Sequence, residues 1–182
     1  MMNKTSLYPV DASFQTPPEV CAYMVNMIPS QCVTVLEPTP GIGNLVHALK
    51  EKDRFQILAA DDFFLVSNES KFDCIIMNPP FTHKSAFLQN APDDPEMKGM
   101  KLGYYILKKC MQMSNHIIAL MPWFTLSDSD VRMRHLVSFG LKSITPLPRR
   151  TFQYARIQTV VIELQKGYQG KTIFHTPFHI EK

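Results

Sequence analysis

Four consecutive residues, Asn78-Pro79-Pro80-Phe81, carry the clearest chemistry in the sequence. Two prolines in a row hold Asn78 in extended backbone and remove two backbone donors, leaving a stiff turn whose carbonyls point outward unpaired. The Asn78 side-chain oxygen and the Pro79 carbonyl can both accept hydrogen bonds from one exocyclic NH2. Such contacts draw its nitrogen toward tetrahedral geometry and free its lone pair. Phe81 adds a ring on which a planar group can stack, worth about 1–3 kcal/mol per base in comparable settings. The turn therefore suits group transfer to a planar amine by in-line displacement. Alignment of the reacting atoms supplies most of that catalysis, and the proton can leave to water afterwards. The plain alternative is a rigid turn built of prolines.

Upstream, Glu37-Pro38-Thr39-Pro40-Gly41-Ile42-Gly43 follows a short apolar run, and Asn44 can cap a helix. Gly41 and Gly43 let the backbone turn tightly and approach a ligand, and a helix N-terminus presents free N–H groups. Glu37 would repel a pyrophosphate but suits a ligand bearing a positive amino group. Asp61 and Asp62 end the next apolar run and can accept from ribose hydroxyls or an adenine amino group. A solvated acidic turn is the commoner fate of such a pair. Phe63 beside them can lie against a flat ring or enter the core.

These residues need elements to hold them. Thr16-Pro17-Pro18-Glu19 predicts a helix start with Thr16 as cap and Glu19 closing a capping box; Val20, Tyr23, Met24 and Met27 follow as its buried stripe, and Pro29 ends it. Strands are predicted over 32–36, 55–60, 72–77, 116–121, 144–147 and 157–164. Helices are predicted from Asn44 to about Lys50, over 102–113, and from near Ser127 or Ser129 to Phe139. The strands of 55–60 and 72–77 read as apolar runs covered on both faces. Alternation of this kind predicts a doubly wound α/β sheet, mostly parallel, with ligands at the carboxyl ends of its strands. Residues 82–99, polar and broken by Pro92 and Pro95, predict a mobile loop, and residues 1–12 a loosely held N-terminus. Residues 168–182 read as a C-terminal tail.

The 182 residues fit one domain, and 45% apolar content is ordinary for a globular protein. No apolar run is long enough to cross a bilayer and the N-terminus shows no signal-peptide pattern, so a cytoplasmic location is expected. Cys21, Cys32, Cys74 and Cys110 are too dispersed for a metal site and read as reduced, mostly buried thiols; no metal is expected. Charge is lopsided. Residues 1–130 hold 10 Lys/Arg against 14 Asp/Glu, a net −4, whereas residues 131–182 hold 9 against 2, a net +7. Arg132, Arg134, Lys142, Arg149, Arg150 and Arg156 make this third a candidate phosphate-facing surface, or simply a solvated basic face.

With these residues together, the chain resembles the N6-adenine DNA methyltransferases whose cofactor motifs precede the catalytic one, a family of bacterial and phage type. Phe14-Gln15-Thr16-Pro17-Pro18 is similar to their segment contacting the methionine part of S-adenosylmethionine. Glu37 through Gly43 is similar to their glycine motif, Asp62-Phe63 to their adenine-binding pair, and Asn78-Pro79-Pro80-Phe81 to their catalytic motif. Leu147 through Phe152 and Thr159 through Leu164 resemble their closing hairpin, which implies that Phe152 faces the target base. The resemblance spans roughly residues 13 to 167. It implies a Rossmann-like fold ending in an antiparallel strand, S-adenosylmethionine as cofactor and DNA as partner, with Arg149, Arg150 and Arg156 at the nucleic acid.

Two departures bear on this. Pro40 stands where the family has a small residue. Only 18 residues separate Gly43 from Asp62, so one strand–helix unit is expected to be missing, with either Asp61 taking over a ribose contact or a poor affinity for cofactor as the consequence. The family also carries a target-recognition domain for which no residues are left. Weak sequence specificity is therefore expected unless a specificity subunit or a second copy contributes. RNA adenine and protein glutamine remain alternative acceptors, although glutamine-modifying relatives have Tyr at the position of Phe81. A catalytically weak subunit that needs a partner is the non-enzymatic alternative.

Overall fold

The computed structural model describes residues 14–81, 90, 94, 102–152, 157–176 and 178. The expectations for residues 1–12, for most of the loop 82–99 and for Arg156 lie outside them.

Seven strands form one sheet: β1 (Thr34–Glu37), β2 (Gln56–Ala59), β3 (Cys74–Met77), β4 (His116–Pro122), β5 (Leu141–Pro146), β6 (Thr159–Gln165) and β7 (Ile173–Phe174). Their order is β2-β1-β3-β4-β6-β5-β7. β2, β1, β3 and β4 pair in parallel, β6 runs antiparallel to both β4 and β5, and β7 joins β5 in parallel. This is the predicted mostly parallel α/β sheet with one reversed strand near the C-terminus. After β1 the chain steps outward to β2, then crosses back to β3 on the other side of β1. That reversal puts the topological switch point between the carboxyl ends of β1 and β3, the place where open α/β sheets take ligands.

The helices are α1 (Pro18–Asn26), α2 (Asn44–Lys50), α3 (Leu102–Met113), α4 (Phe124–Ser127) and α5 (Asp130–Phe139). Alternate strand residues feed two cores. Val35, Cys74, Ile76, Ile118, Leu120 and Val161 pack against α1 and α2. Leu36, Ile75, Met77, Ile117, Ala119 and Ile162 pack against α3 and α5. β3 and β4 are buried throughout, as strands between two helical layers must be. The four cysteines are buried and unpaired.

The structure departs from the sequence reading in four places. β2 is not covered on both faces: it is the sheet edge, with Leu58 43% exposed, because a single helix and strand, followed by a 3-10 turn at Phe63–Leu65, fill the chain between the glycine loop and β3. The short spacing before Asp62 thus shows as an uncovered edge. Thr16 does not cap α1; Pro17 is the N-cap and makes no side-chain bond. Asn44 does not cap α2; Gly43, at φ +94°, does so by backbone alone. The short α4 and edge strand β7 escape the sequence reading, being too brief for a periodicity to register.

Candidate active site

Three turns leave the carboxyl ends of β1, β2 and β3, and residues 14–16 bridge the first and the last of them. At the end of β1, Glu37 is fully buried; its Oε1 accepts from the Thr39 backbone N–H at 2.9 Å and from the Thr39 hydroxyl at 3.4 Å. Its Oε2 has no partner among the described residues. Burial pushes this carboxyl up to about 8, opposed by the two Thr39 bonds. A buried carboxyl oxygen without a partner is costly, and a cationic or N–H-bearing group placed beside it would offset that cost by favouring the carboxylate. Pro38 is buried beside it. Beyond, Gly41 (φ +56°) and Gly43 (φ +94°) take backbone conformations that L side chains rarely adopt, and the Gly43 N–H donates to the Pro40 carbonyl at 2.7 Å.

Asn78 follows β3, and its side chain is held in one orientation. Nδ2 donates to the Phe14 carbonyl at 2.8 Å and to the Thr16 hydroxyl oxygen at 3.0 Å. A carbonyl only accepts, so the amide nitrogen must face it. Oδ1 therefore faces away from both partners, and no described residue donates to it. Pro79 is buried and Pro80 half-buried. The first turn of α3 lies directly against them: a Cβ on Gly103 would stand 2.8 Å from the Pro80 carbonyl and 3.1 Å from Pro79 Cγ. Gly103→Ala must therefore displace backbone. We expect it to lower stability by about 1–3 kcal/mol, read as a reduced urea midpoint at unchanged slope.

The N-terminal residues join the other two turns. The Phe14 ring contacts Phe81 and Phe152, both at 5.7 Å between centroids. Gln15 Oε1 accepts from the Ile42 N–H at 3.4 Å, and the Thr16 carbonyl accepts from Asn44 Nδ2 at 2.9 Å. Phe152 is buried, with Phe14 between it and Phe81 as its ring neighbour, rather than presented to an open face. The Phe81 ring borders a shallow cleft that continues past Tyr104 and Phe124 to Arg132.

After β2, Asp61 is exposed and Asp62 is buried. Asp62 Oδ1 accepts from the Phe64 N–H at 2.9 Å and caps the 3-10 turn, while Oδ2 accepts from Asn90 Nδ2 at 2.6 Å. Phe63 enters the core on the α3 side of the sheet. Arg149 and Arg150 are exposed in the turn after β5. Gln15, Asn44, Thr39, Asn90 and Gly103 complete the site without having been singled out for these roles. Gly103 and Asn90 gave no signal at all, because their parts depend on approaches between segments distant in sequence. No group of three His, Cys, Asp or Glu side chains among the described residues can hold a metal ion. No described helix is long and apolar enough to cross a membrane.

The fold defined by this sheet is the Rossmann-like methyltransferase fold, as comparison with solved structures shows. A protein from Vibrio vulnificus YJ016 assigned as the modification subunit of a type I restriction enzyme superposes with a TM-score of 0.67 at 20% identity, over 90% of this chain and 46% of that one. A Listeria monocytogenes protein assigned as a class I S-adenosylmethionine-dependent methyltransferase gives 0.64 at 15% identity, over 92% of this chain and 67% of its own. A Pyrococcus horikoshii protein assigned as an RNA methyltransferase gives 0.51 at 16%, over 84% and 87%. The chain thus spans less than half the length of the restriction-enzyme subunit it matches. No family model and no curated protein sequence matches it.

Proposed function

We propose that this chain is an S-adenosylmethionine-dependent methyltransferase that methylates the N6 amino group of adenine in DNA. The observation that carries the proposal is the Asn78 amide at the carboxyl end of β3: its nitrogen is fully engaged by Phe14 and Thr16, and its oxygen is left to accept from an incoming NH2. Glu37, with an unpartnered Oε2 at the carboxyl end of the adjacent strand β1, fits the cationic amino group of the cofactor's methionine part. The glycine loop from Gly41 to Gly43 would lie against the cofactor with Asp61 at its ribose, while Phe63, buried in the core, would back the adenine site from beneath rather than stack on it openly. The cofactor supplies an activated methyl group on sulfur. The chain's own part would be to align and to polarise: Asn78 Oδ1 and the Pro79 carbonyl would accept hydrogen bonds from the two amine N–H groups, which keep their protons, so that the lone pair is directed toward the cofactor's methyl group, and Phe81 would fix the plane of the base. No general base among the described residues is needed, since the proton can pass to water once the nitrogen is alkylated.

The exposed Arg149 and Arg150 and the basic C-terminal third favour a nucleic-acid phosphate over a protein glutamine as the neighbour of the acceptor. Two of the neighbours are assigned as methyltransferase subunits of restriction-modification systems, from Vibrio vulnificus and Streptococcus thermophilus, and by analogy the chain would act with a specificity subunit or a second copy. A second reading, a methyltransferase-like subunit with weak activity of its own, is favoured by Asp62: both its oxygens are already engaged, by Phe64 and Asn90, so a ligand must displace Asn90 to use it. Incubation with methyl-labelled cofactor and DNA, RNA or a glutamine-bearing release-factor substrate separates the readings. The proposal expects label in DNA adenine. Label confined to RNA or to glutamine would replace the substrate, and no label with any acceptor, alone or with a specificity subunit, would remove the enzyme.

A further inference from the structure

Thr16 stands next to Pro17, the N-cap of α1, in the sequence position from which a Thr-Pro-Pro-Glu run is read as capping the helix with the threonine hydroxyl. Here the side chain makes no capping bond, and the hydroxyl oxygen instead accepts from Asn78 Nδ2 at 3.0 Å, across 62 positions of sequence. The residue is 4% exposed. Its backbone is tied as well: the Thr16 carbonyl accepts from Asn44 Nδ2 at 2.9 Å, and the Cys21 thiol lies 3.5 Å from the same oxygen. Thr16 therefore joins the first residue of α2, next to the glycine loop, to the turn after β3.

We propose that Thr16 is a positioning residue for the Asn78 amide, acting on the reaction through Asn78 rather than through a contact of its own with cofactor. The inference rests on the amine-methylation reading given above. An Asn amide has two N–H protons, and here the Phe14 carbonyl and the Thr16 hydroxyl take one each. With both bonds in place the amide cannot turn about its terminal torsion, a rotation that is otherwise soft. Oδ1 stays directed away from the N-terminal segment. The two donated bonds also polarise the amide and make Oδ1 a stronger acceptor, since hydrogen bonds in a chain reinforce one another. Phe14 contributes a backbone carbonyl that no substitution removes, so Thr16 is the half of the clamp that mutation can reach.

The test compares Thr16→Val, which keeps the shape and loses the acceptor, with Thr16→Ser, which keeps the acceptor; Thr16→Ala serves as a second hydroxyl-free variant should Val misfold. We expect kcat for methyl transfer to fall about 10- to 100-fold in the hydroxyl-free variants. The cofactor Kd and the KM for nucleic acid should stay within about threefold, and Ser should restore kcat to near the starting value. A raised cofactor Kd with kcat retained would make Thr16 a cofactor contact and overturn the proposal. Retained kcat in Val and Ala, or a Ser variant as impaired as Val, would also overturn it. A second readout needs no turnover: the side-chain amide signals of Asn78 in the ligand-free protein. Thr16→Val should leave one of its two amide protons more exchangeable and shifted, with Ser close to the parent. If the parent protein methylates nothing, the functional reading fails, and unchanged Asn78 signals in Thr16→Val would sink the positioning role on its own evidence.

Discussion

We expect Asn78→Ala to lower methyl transfer by about 10²- to 10³-fold while leaving cofactor affinity within a few-fold of the parent. The expectation follows from where the amide sits: it directly follows β3, a strand buried on both faces, and among the described residues its nitrogen is bonded to the N-terminal segment alone. Removing it takes away an acceptor aimed at the amine and nothing aimed at the glycine loop. Loss of one preorganised polar group at a reacting centre typically costs on the order of 10²- to 10³-fold in kcat. Single-turnover rates with saturating cofactor, paired with calorimetric Kd values, separate the two effects. A variant with full turnover would refute the assignment of Asn78, and one that no longer bound cofactor would move Asn78 to the other half of the site.

Glu37→Gln should weaken cofactor binding about 10- to 100-fold, the loss of one buried charge-assisted hydrogen bond. The group's proton makes a further prediction. Its folded value of about 8 lies above the ordinary 4.5, because burial opposes the charged form. Between those two values the folded chain holds a proton that the unfolded chain has released, so stability falls as pH rises through that window and levels off above it. Glu37→Gln removes this loss, and its melting temperature should gain on the parent as pH is raised from about 5 to 8. In the parent, a cationic amino group arriving at Oε2 favours the carboxylate, so cofactor binding at pH 7 should release about one proton from Glu37. Calorimetry in buffers of different ionisation enthalpy reads that proton directly. Equal enthalpies across buffers, or the same proton count in Glu37→Gln, would place the cofactor's amino group elsewhere.

Much of this architecture is legible from the residues. Long apolar runs such as His116 to Met121 and the periodic helix from Leu102 to Met113 declare themselves because their period and burial agree. The Asn-Pro-Pro-Phe turn is legible for the same reason as the glycine loop: proline and glycine restrict or free the backbone by local chemistry alone. What stayed hidden depends on residues meeting across the chain. Thr16 and Asn44 both carry the local signature of helix caps, yet each is drawn to another partner, Asn78 in one case and the Thr16 carbonyl in the other. Asp62 reads as a ligand contact from its place after a strand, whereas in the fold it caps a 3-10 turn and holds Asn90. Phe152 reads as a base-facing ring and is instead buried against Phe14. The 18-residue spacing before Asp62 was visible in sequence; its structural result, an exposed edge at β2, follows from having one helix and one strand to fill that stretch.

The same wiring joins the glycine loop to the Asn-Pro-Pro-Phe turn through the N-terminal segment. Gln15 rests on the glycine loop, Thr16 ties that loop's helix to Asn78, and Phe14 touches Phe81, all within three consecutive residues. Substitutions in this segment should therefore couple to substitutions in both turns, as residues sharing partners do.

The most direct test of amine methylation at Asn78 is quantification of N6-methyladenine, by mass spectrometry of nucleosides, in DNA from cells expressing the chain or its Asn78→Ala variant. Cells expressing the parent should carry N6-methyladenine well above that of cells without the chain, and cells expressing Asn78→Ala should not. Equal N6-methyladenine in all three, with both proteins folded and present, would contradict the account.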